Sequence, residues 1–195
     1  QADGFELERE LDGVFMQIYQ PLEPEDFALI AGKQPKKEEV EDFCAKYDSD
    51  KKGSCLSESW PLYRSELLAD PGELVKFCSR SEADKQDRCF LGLFYVITAQ
   101  LDFNLDKIQS YCRGLPAERG AQCFANAASR LIETDWRNIE KSVNLCKNSG
   151  SNLSETACFE ELIKYSTYNF HAGSEEFYKL CNSLPKDWQT KCLKS

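Results

Sequence analysis

Apolar residues recur along most of this chain at intervals of three and four. After Cys89 they are Phe90, Leu93, Phe94 and Ile97; after Cys123 they are Phe124, Ala127, Ala128 and Leu131. After Cys158 come Phe159, Leu162 and Ile163, with Tyr165 on the flank. This one-face spacing predicts an amphipathic helix of about twelve residues in each stretch, here helix A. A shorter helix B is predicted between each helix A and the next cysteine, over 70–77, 104–111, 138–145 and 174–180. Asp70-Pro71-Gly72-Glu73 reads as an N-cap, a proline at the first helical position and a capping-box glutamate. Asn104, Asn138 and Ser174 are residue types that cap the other three. Trp60-Pro61 puts a proline inside the first helix A, where it should kink or restart the helix.

The helices are metered by cysteines. Cys44, Cys55, Cys78, Cys89, Cys112, Cys123, Cys146, Cys158, Cys181 and Cys192 are separated by 11, 23, 11, 23, 11, 23, 12, 23 and 11 residues. The period is 34, stretched once to 35. Other columns keep step. Phe43, Phe77, Tyr111, Leu145 and Leu180 precede the first cysteine of each pair, and Leu56, Phe90, Phe124, Phe159 and Leu193 follow the second. Val40, Leu74, Ile108, Ser142 and Phe177 stand four residues ahead of the first cysteine, with Ser142 the one polar member. Leu115-Pro116 recurs as Leu184-Pro185. Such self-similarity signals one supersecondary unit stacked on copies of itself.

Ten cysteines allow roughly 945 pairings. Pairing across the long spacing strands Cys44 and Cys192 at opposite ends of a stack, too far apart to bridge. Pairing across the short spacing uses every thiol: 44–55, 78–89, 112–123, 146–158 and 181–192. Each bridge then clips the loop between one helix B and the next helix A. The extra residue falls in the clipped loop of the fourth repeat, between Lys147 and Ala157. No C-x2-C pair or C-x-x-C-H stands here to suggest zinc or haem. Disulfides at this density imply an oxidising, extracytoplasmic compartment, periplasmic or secreted. Gln1-Ala2-Asp3 reads as the start of a mature product whose targeting segment has been removed.

The expected fold is therefore all-α: a right-handed solenoid of disulfide-clipped helical hairpins. Residues 44–195 supply four hairpins and a truncated fifth, and residues 1–43 a cysteine-free helical cap. In that cap Phe5, Leu7, Leu11, Val14, Phe15, Ile18 and Tyr19 predict an amphipathic helix ended by Gln20-Pro21. A short helix is expected over 27–31, stopped by Gly32, and 35–43 matches a helix B. In repeat length and helix-pair topology the chain resembles tetratricopeptide and Sel1-like repeats. The tetratricopeptide small-residue column falls here on Asp70, Asn104, Asn138 and Gly173, and the glycine-rich Sel1 pattern is absent. What the resemblance implies is a mode of use, binding on a stacked surface, and no particular site.

Charge and composition narrow the function. With 24 basic against 33 acidic residues the net charge is −9, which argues against a nucleic-acid partner. No apolar run approaches the ~18 residues of a membrane span. Asp48-Ser49-Asp50-Lys51-Lys52-Gly53 mimics the start of a calcium loop, but Lys52 and Ser59 stand where an EF-hand wants oxygen ligands, so a polar turn is expected and no metal or cofactor is assigned. His171, the sole histidine, falls in an exposed A–B loop with no triad partners in view. Asn152-Leu153-Ser154 is a glycosylation sequon.

Three A–B loops pair an aromatic with a polar residue, Asp102-Phe103, Asp135-Trp136 and Asn169-Phe170, which stacking would align on one edge. Phe103, Trp136, Phe170 and His171 are thus the candidate partner contacts, weighed against hydrophobic staples such as Phe103 on Ile108. Tyr165, Tyr168, Tyr178, Trp60, Tyr63 and Tyr95 are candidates for lining a concave face, or for the core. The expected function is a non-catalytic module, alone or in a larger assembly, that binds a peptide or protein. The alternatives are a carrier of a small apolar ligand and a hydrolytic enzyme subunit using an acid pair such as Glu133 and Asp135.

Overall fold

The structure, a computed structural model, describes residues 13–20, 32–83 and 85–195. Among these residues every regular element is helical, with no strand. Five disulfides join Cys44 to Cys55, Cys78 to Cys89, Cys112 to Cys123, Cys146 to Cys158 and Cys181 to Cys192, and no cysteine is free. Each pair holds its Cα atoms 5.4–5.6 Å apart. The residues fall into two compact units. One combines residues up to Ala69 with Glu73–Cys89; the other combines Asp70–Gly72 with Phe90–Ser195.

In the N-terminal unit, residues 13–19 are helical and end at Gln20. Phe5, Leu7, Leu11, Pro21 and the predicted helix over 27–31 lie outside the described residues. A 3₁₀ turn, Lys37–Glu39, leads into α1 (Val40–Cys44). Then follow α2 (Ser49–Glu58), a 3₁₀ turn over Trp60–Tyr63, α3 (Arg64–Ala69) and α4 (Pro71–Cys78). The restart at Trp60-Pro61 follows from proline's missing donor, which interrupts the helical ladder. The polar stretch after Asp48 is no loop. It is the first turn of α2, where the Asp48 carboxylate accepts from Lys51 N–H at 3.4 Å.

Phe15, Tyr19, Val40, Cys44, Cys55 and Leu56 form this unit's core around the first disulfide. The Tyr19 hydroxyl lies 3.6 and 3.5 Å from the sulfurs of Cys44 and Cys55. Arg80 ties the helix ends together. Its guanidinium donates to Leu56 O, Ser59 Oγ, Tyr63 Oη and Glu41 Oε1 at 3.1–3.2 Å. Its plane lies over the rings of Phe77 and Tyr63, 4.1 and 4.7 Å from their centroids.

The C-terminal unit takes in most of α5 (Gln86–Gln100), then α6 (Leu105–Arg113), α7 (Ala117–Thr134), a 3₁₀ turn Trp136–Asn138 and α8 (Ile139–Lys147). It continues through α9 (Asn152–Asn169), α10 (Glu175–Ser183) and α11 (Lys186–Cys192). Within it α7 packs on α6, α8 and α9; α8 on α6, α9 and α10; and α9 and α10 on α11. The core columns hold their place. Phe94, Phe124 and Phe159 are almost wholly buried, as are Leu131, Leu145, Leu162 and Leu180. Each such side chain contributes about 1.5–3 kcal/mol by leaving water. Ser142, the polar exception in its column, is also buried, and its hydroxyl donates to Ala128 O at 2.8 Å.

Three local expectations are corrected. The A helices run to 15 or 18 residues rather than about twelve, because α7 and α9 begin six residues before Cys123 and Cys158. The second cysteine of each bridge thus sits inside a helix, and the loop beneath it shrinks to Gly114–Pro116 or Asn148–Ser151, the latter holding the inserted residue. Asn104 and Ser174 do cap, accepting from Lys107 and Phe177 N–H, but Asn138 does not. Asp135 takes that role one 3₁₀ turn earlier, accepting from Arg137 N–H, while the Asn138 amide donates to Leu131 O. Asp70 accepts from Gly72 N–H at 2.7 Å, and Glu73 turns to Lys76 at 2.5 Å instead of closing a capping box.

Candidate functional site

The long A helices have two working faces. The residues at +1, +4 and +5 from each bridged cysteine face the core: Phe90, Leu93 and Phe94 on α5, Phe124, Ala127 and Ala128 on α7. A second set at −1, +2, +3 and +6 has the same helical spacing and is left outside. On three successive A helices this second face encloses an open groove of about 490 Å³ within the C-terminal unit. That size falls in the ~300–1,000 Å³ range of ligand clefts.

Local sequence explains the hollow. Ala125 on α7 and Ala157 on α9 put methyl groups where longer side chains would fill the space. Leu91 of α5, 46% exposed, supplies an apolar wall. Glu160, Glu161 and Lys164 of α9 supply a charged one, and Gln122 and Asn126 of α7 lie between. α5 and α7 run in the same direction, since Arg119 lies over the Phe90 ring at 4.2 Å and Arg130 over the Tyr95 ring at 3.6 Å.

Polar groups around the groove are unevenly satisfied. Lys164 Nζ is 3.8 Å from Glu161 Oε2, and burial pushes the Glu161 carboxyl above its ordinary range while Lys164 pulls it down. Glu160 has no ion-pair partner among the described residues. The Gln122 carbonyl accepts from Arg119 at 2.8 Å. Asn126 Oδ1 is buried and has no hydrogen-bond partner, as does the Nε of Arg130. One turn on, Arg130 pairs with Glu133 at 2.8 Å, and Tyr95 Oη donates to Glu133 at 3.4 Å.

The residues singled out from the sequence lie elsewhere, at the turns after the A helices. Phe103 is half-buried in a turn where it and Asp102 both take positive φ, 52° and 59°. Half-buried Trp136 carries Lys179 Nζ over its ring at 5.0 Å. Phe170 meets Tyr165 edge-on at 5.7 Å. Among the described residues no ring contact joins these three aromatics to one another. His171 is exposed in the loop after α9. Of the tyrosines, Tyr168 and Tyr178 are 79% and 49% exposed. In the N-terminal unit, Tyr63 lies under Arg80 and Lys37.

The acid pair and the sequon also resolve into structural detail. Glu133 answers Arg130, and Asp135 answers Arg137, whose hydrogen bonds hold the Asp135 carboxyl below its usual range. Each of the two carboxylates is thus paired with a different arginine. Asn152 is exposed at the first position of α9, while Ser154 is buried and bonded to Ser151 at 2.9 Å. A smaller cleft of about 190 Å³ in the N-terminal unit is lined by Lys37, Lys76 and Arg80, whose charges are met by Glu66, Glu73 and Glu41. Among the described residues no three His, Cys, Asp or Glu side chains converge on a common point. No helix described is long and apolar enough to cross a membrane. The chain matches no known protein family, no curated protein and no solved structure.

Proposed function

We propose that this chain is an exported, non-catalytic interaction module that binds a peptide or protein segment on the outer face of its A helices. In this reading residues 44–195 form one solenoid of clipped hairpins, four and a truncated fifth, capped by residues 1–43. The observation that carries it is the groove over α5, α7 and α9, whose lining falls wholly on one repeated set of helical positions. A stack of hairpins that repeats its core face also repeats its outer face, and an extended ligand is the shape that engages several copies at once. The five disulfides point to an oxidising compartment, and periplasm or secretion is the matching location. The open groove, with carboxylates along one wall, favours a peptide over a small apolar cargo, which would want an enclosed apolar cavity.

A positional-scanning octapeptide library, passed over the immobilised oxidised protein, tests this. The wild type should retain a restricted set of sequences. Ala125→Trp and, separately, Ala157→Trp fill the groove and should retain none, with helical content unchanged by circular dichroism. Retention of no sequence by the wild type, or equal retention by both filled variants, overturns the reading.

A further inference from the structure

The groove's own chemistry narrows its ligand. Its lining charges are Glu160, Glu161 and Lys164, two anions against one cation, and Lys164 is already committed to Glu161. We infer that the groove takes an extended peptide segment in which a lysine or arginine lies beside an apolar residue. This inference rests on the peptide-binding reading above and adds the partner's chemistry to it.

Four observations support that ligand. First, Glu160 presents a carboxylate to the groove with no ion-pair partner among the described residues. A cationic side chain supplies the missing charge at short range. Second, Glu161 sits where burial disfavours its charged form and one lysine at 3.8 Å offsets only part of that cost. A second cation nearby stabilises the carboxylate further, so ligand charge is rewarded twice. Third, Asn126 lines the groove and its Oδ1 is buried without a hydrogen-bond partner, so turning its carboxamide toward a ligand breaks no existing bond at that oxygen. A carboxamide offers one acceptor and a pair of donor hydrogens, which matches the N–H and C=O of an extended backbone. Fourth, Leu91 and the Ala125 and Ala157 methyls give an apolar strip next to the acidic wall, which selects an apolar neighbour for the basic residue. The overall charge of −9 favours approach of a cationic segment as well.

The test uses the same octapeptide library on the intact oxidised protein, and reads which residue types the retained set carries. Lysine or arginine should be enriched over glutamate about five- to tenfold at one position, next to an enriched apolar position. The Glu160→Gln, Glu161→Gln double variant should lose the basic preference and keep the apolar one. Asn126→Ala should weaken all retained peptides alike, whatever their charge. A retained set without basic enrichment, or one whose basic enrichment survives the double glutamine variant, overturns this inference. If that set is still lost in Ala125→Trp, the interaction-module reading stands. If the wild type retains nothing, both fall together.

Discussion

Two glycines on neighbouring A helices should respond to alanine with opposite signs. Gly92 lies within α5, and a methyl built there meets nothing within 4 Å. Glycine in a helix interior costs about 0.5–1 kcal/mol relative to alanine, so Gly92→Ala should stabilise by that amount. Gly120 lies in the second turn of α7, and its added methyl would stand 2.8 Å from Cys112 O at the end of α6. A carbon–oxygen contact rests at roughly 3.3–3.6 Å, so α7 would have to lift from α6 by about half an ångström. The Cys112–Cys123 disulfide clamps these two helices and resists the movement. Overpacking of this kind costs about 1–3 kcal/mol. Less the propensity gain, Gly120→Ala should destabilise by up to about 2.5 kcal/mol, with a mid-range value of about 1 kcal/mol. At about 2–4 °C per kcal/mol for a chain of this size, calorimetry of the oxidised protein separates the two variants cleanly. Both glycines belong to the same compact unit, so one transition reports on both. A Gly120→Ala protein as stable as Gly92→Ala would refute the close approach of α6 and α7 on which the argument depends.

Burial raises the Tyr19 phenol to about 12, so the fold holds its neutral form. With an unfolded value near 10, its contribution is complete below about pH 10 and is lost as pH rises from 10 toward 12, as much as about 2–3 kcal/mol. Urea midpoints between pH 8 and 11.5 should fall more steeply for the wild type than for Tyr19→Phe, and parallel curves would contradict this. Arg80→Met keeps the stem against Phe77 but removes the charged donor from Leu56 O and from the buried Ser59 hydroxyl, which are left with the bond between them at 2.7 Å, for a loss of roughly 1–3 kcal/mol in urea unfolding. Arg80→Lys should recover only part of that, because an ammonium lacks the planar fork that reaches five acceptors, Phe77 O among them; full recovery would show that charge alone matters.

The helices and their bridges were legible because they rest on periodic signals. Apolar positions every three or four residues and cysteines every 34 allow few other readings. The starts of the A helices were misplaced for a physical reason. A bridged stretch reads as a clipped loop, yet a cysteine in the second turn of a helix reaches its partner just as well at a Cα separation of 5.5 Å. Pro116 and Pro185, at the caps of α7 and α11, were the signal that marked the earlier start. Asn138 misled because cap-forming residue types also serve inside turns, and Asp135 had the better geometry. The groove went unseen because attention to the core columns passes over the face opposite. Its signal was small residues on the outer helical face, Ala125 two residues after Cys123 and Ala157 one before Cys158, where exposed columns usually carry long polar side chains.

Every bridge joins a cysteine to the next one along the chain, and this bears on biogenesis. A polypeptide threaded N-terminus first into an oxidising space presents its thiols one at a time. Each odd-numbered thiol meets its correct partner after only 11 or 12 further residues, before any competitor has arrived. A host with an intact oxidant but no disulfide isomerase is therefore expected to deliver all five bridges, and scrambled pairs there would count against this. Refolding of the reduced, full-length chain loses that order of arrival and opens every wrong pairing at once. Maturation then asks for an oxidant and a direction of travel, and the spacing of the thiols does the sorting.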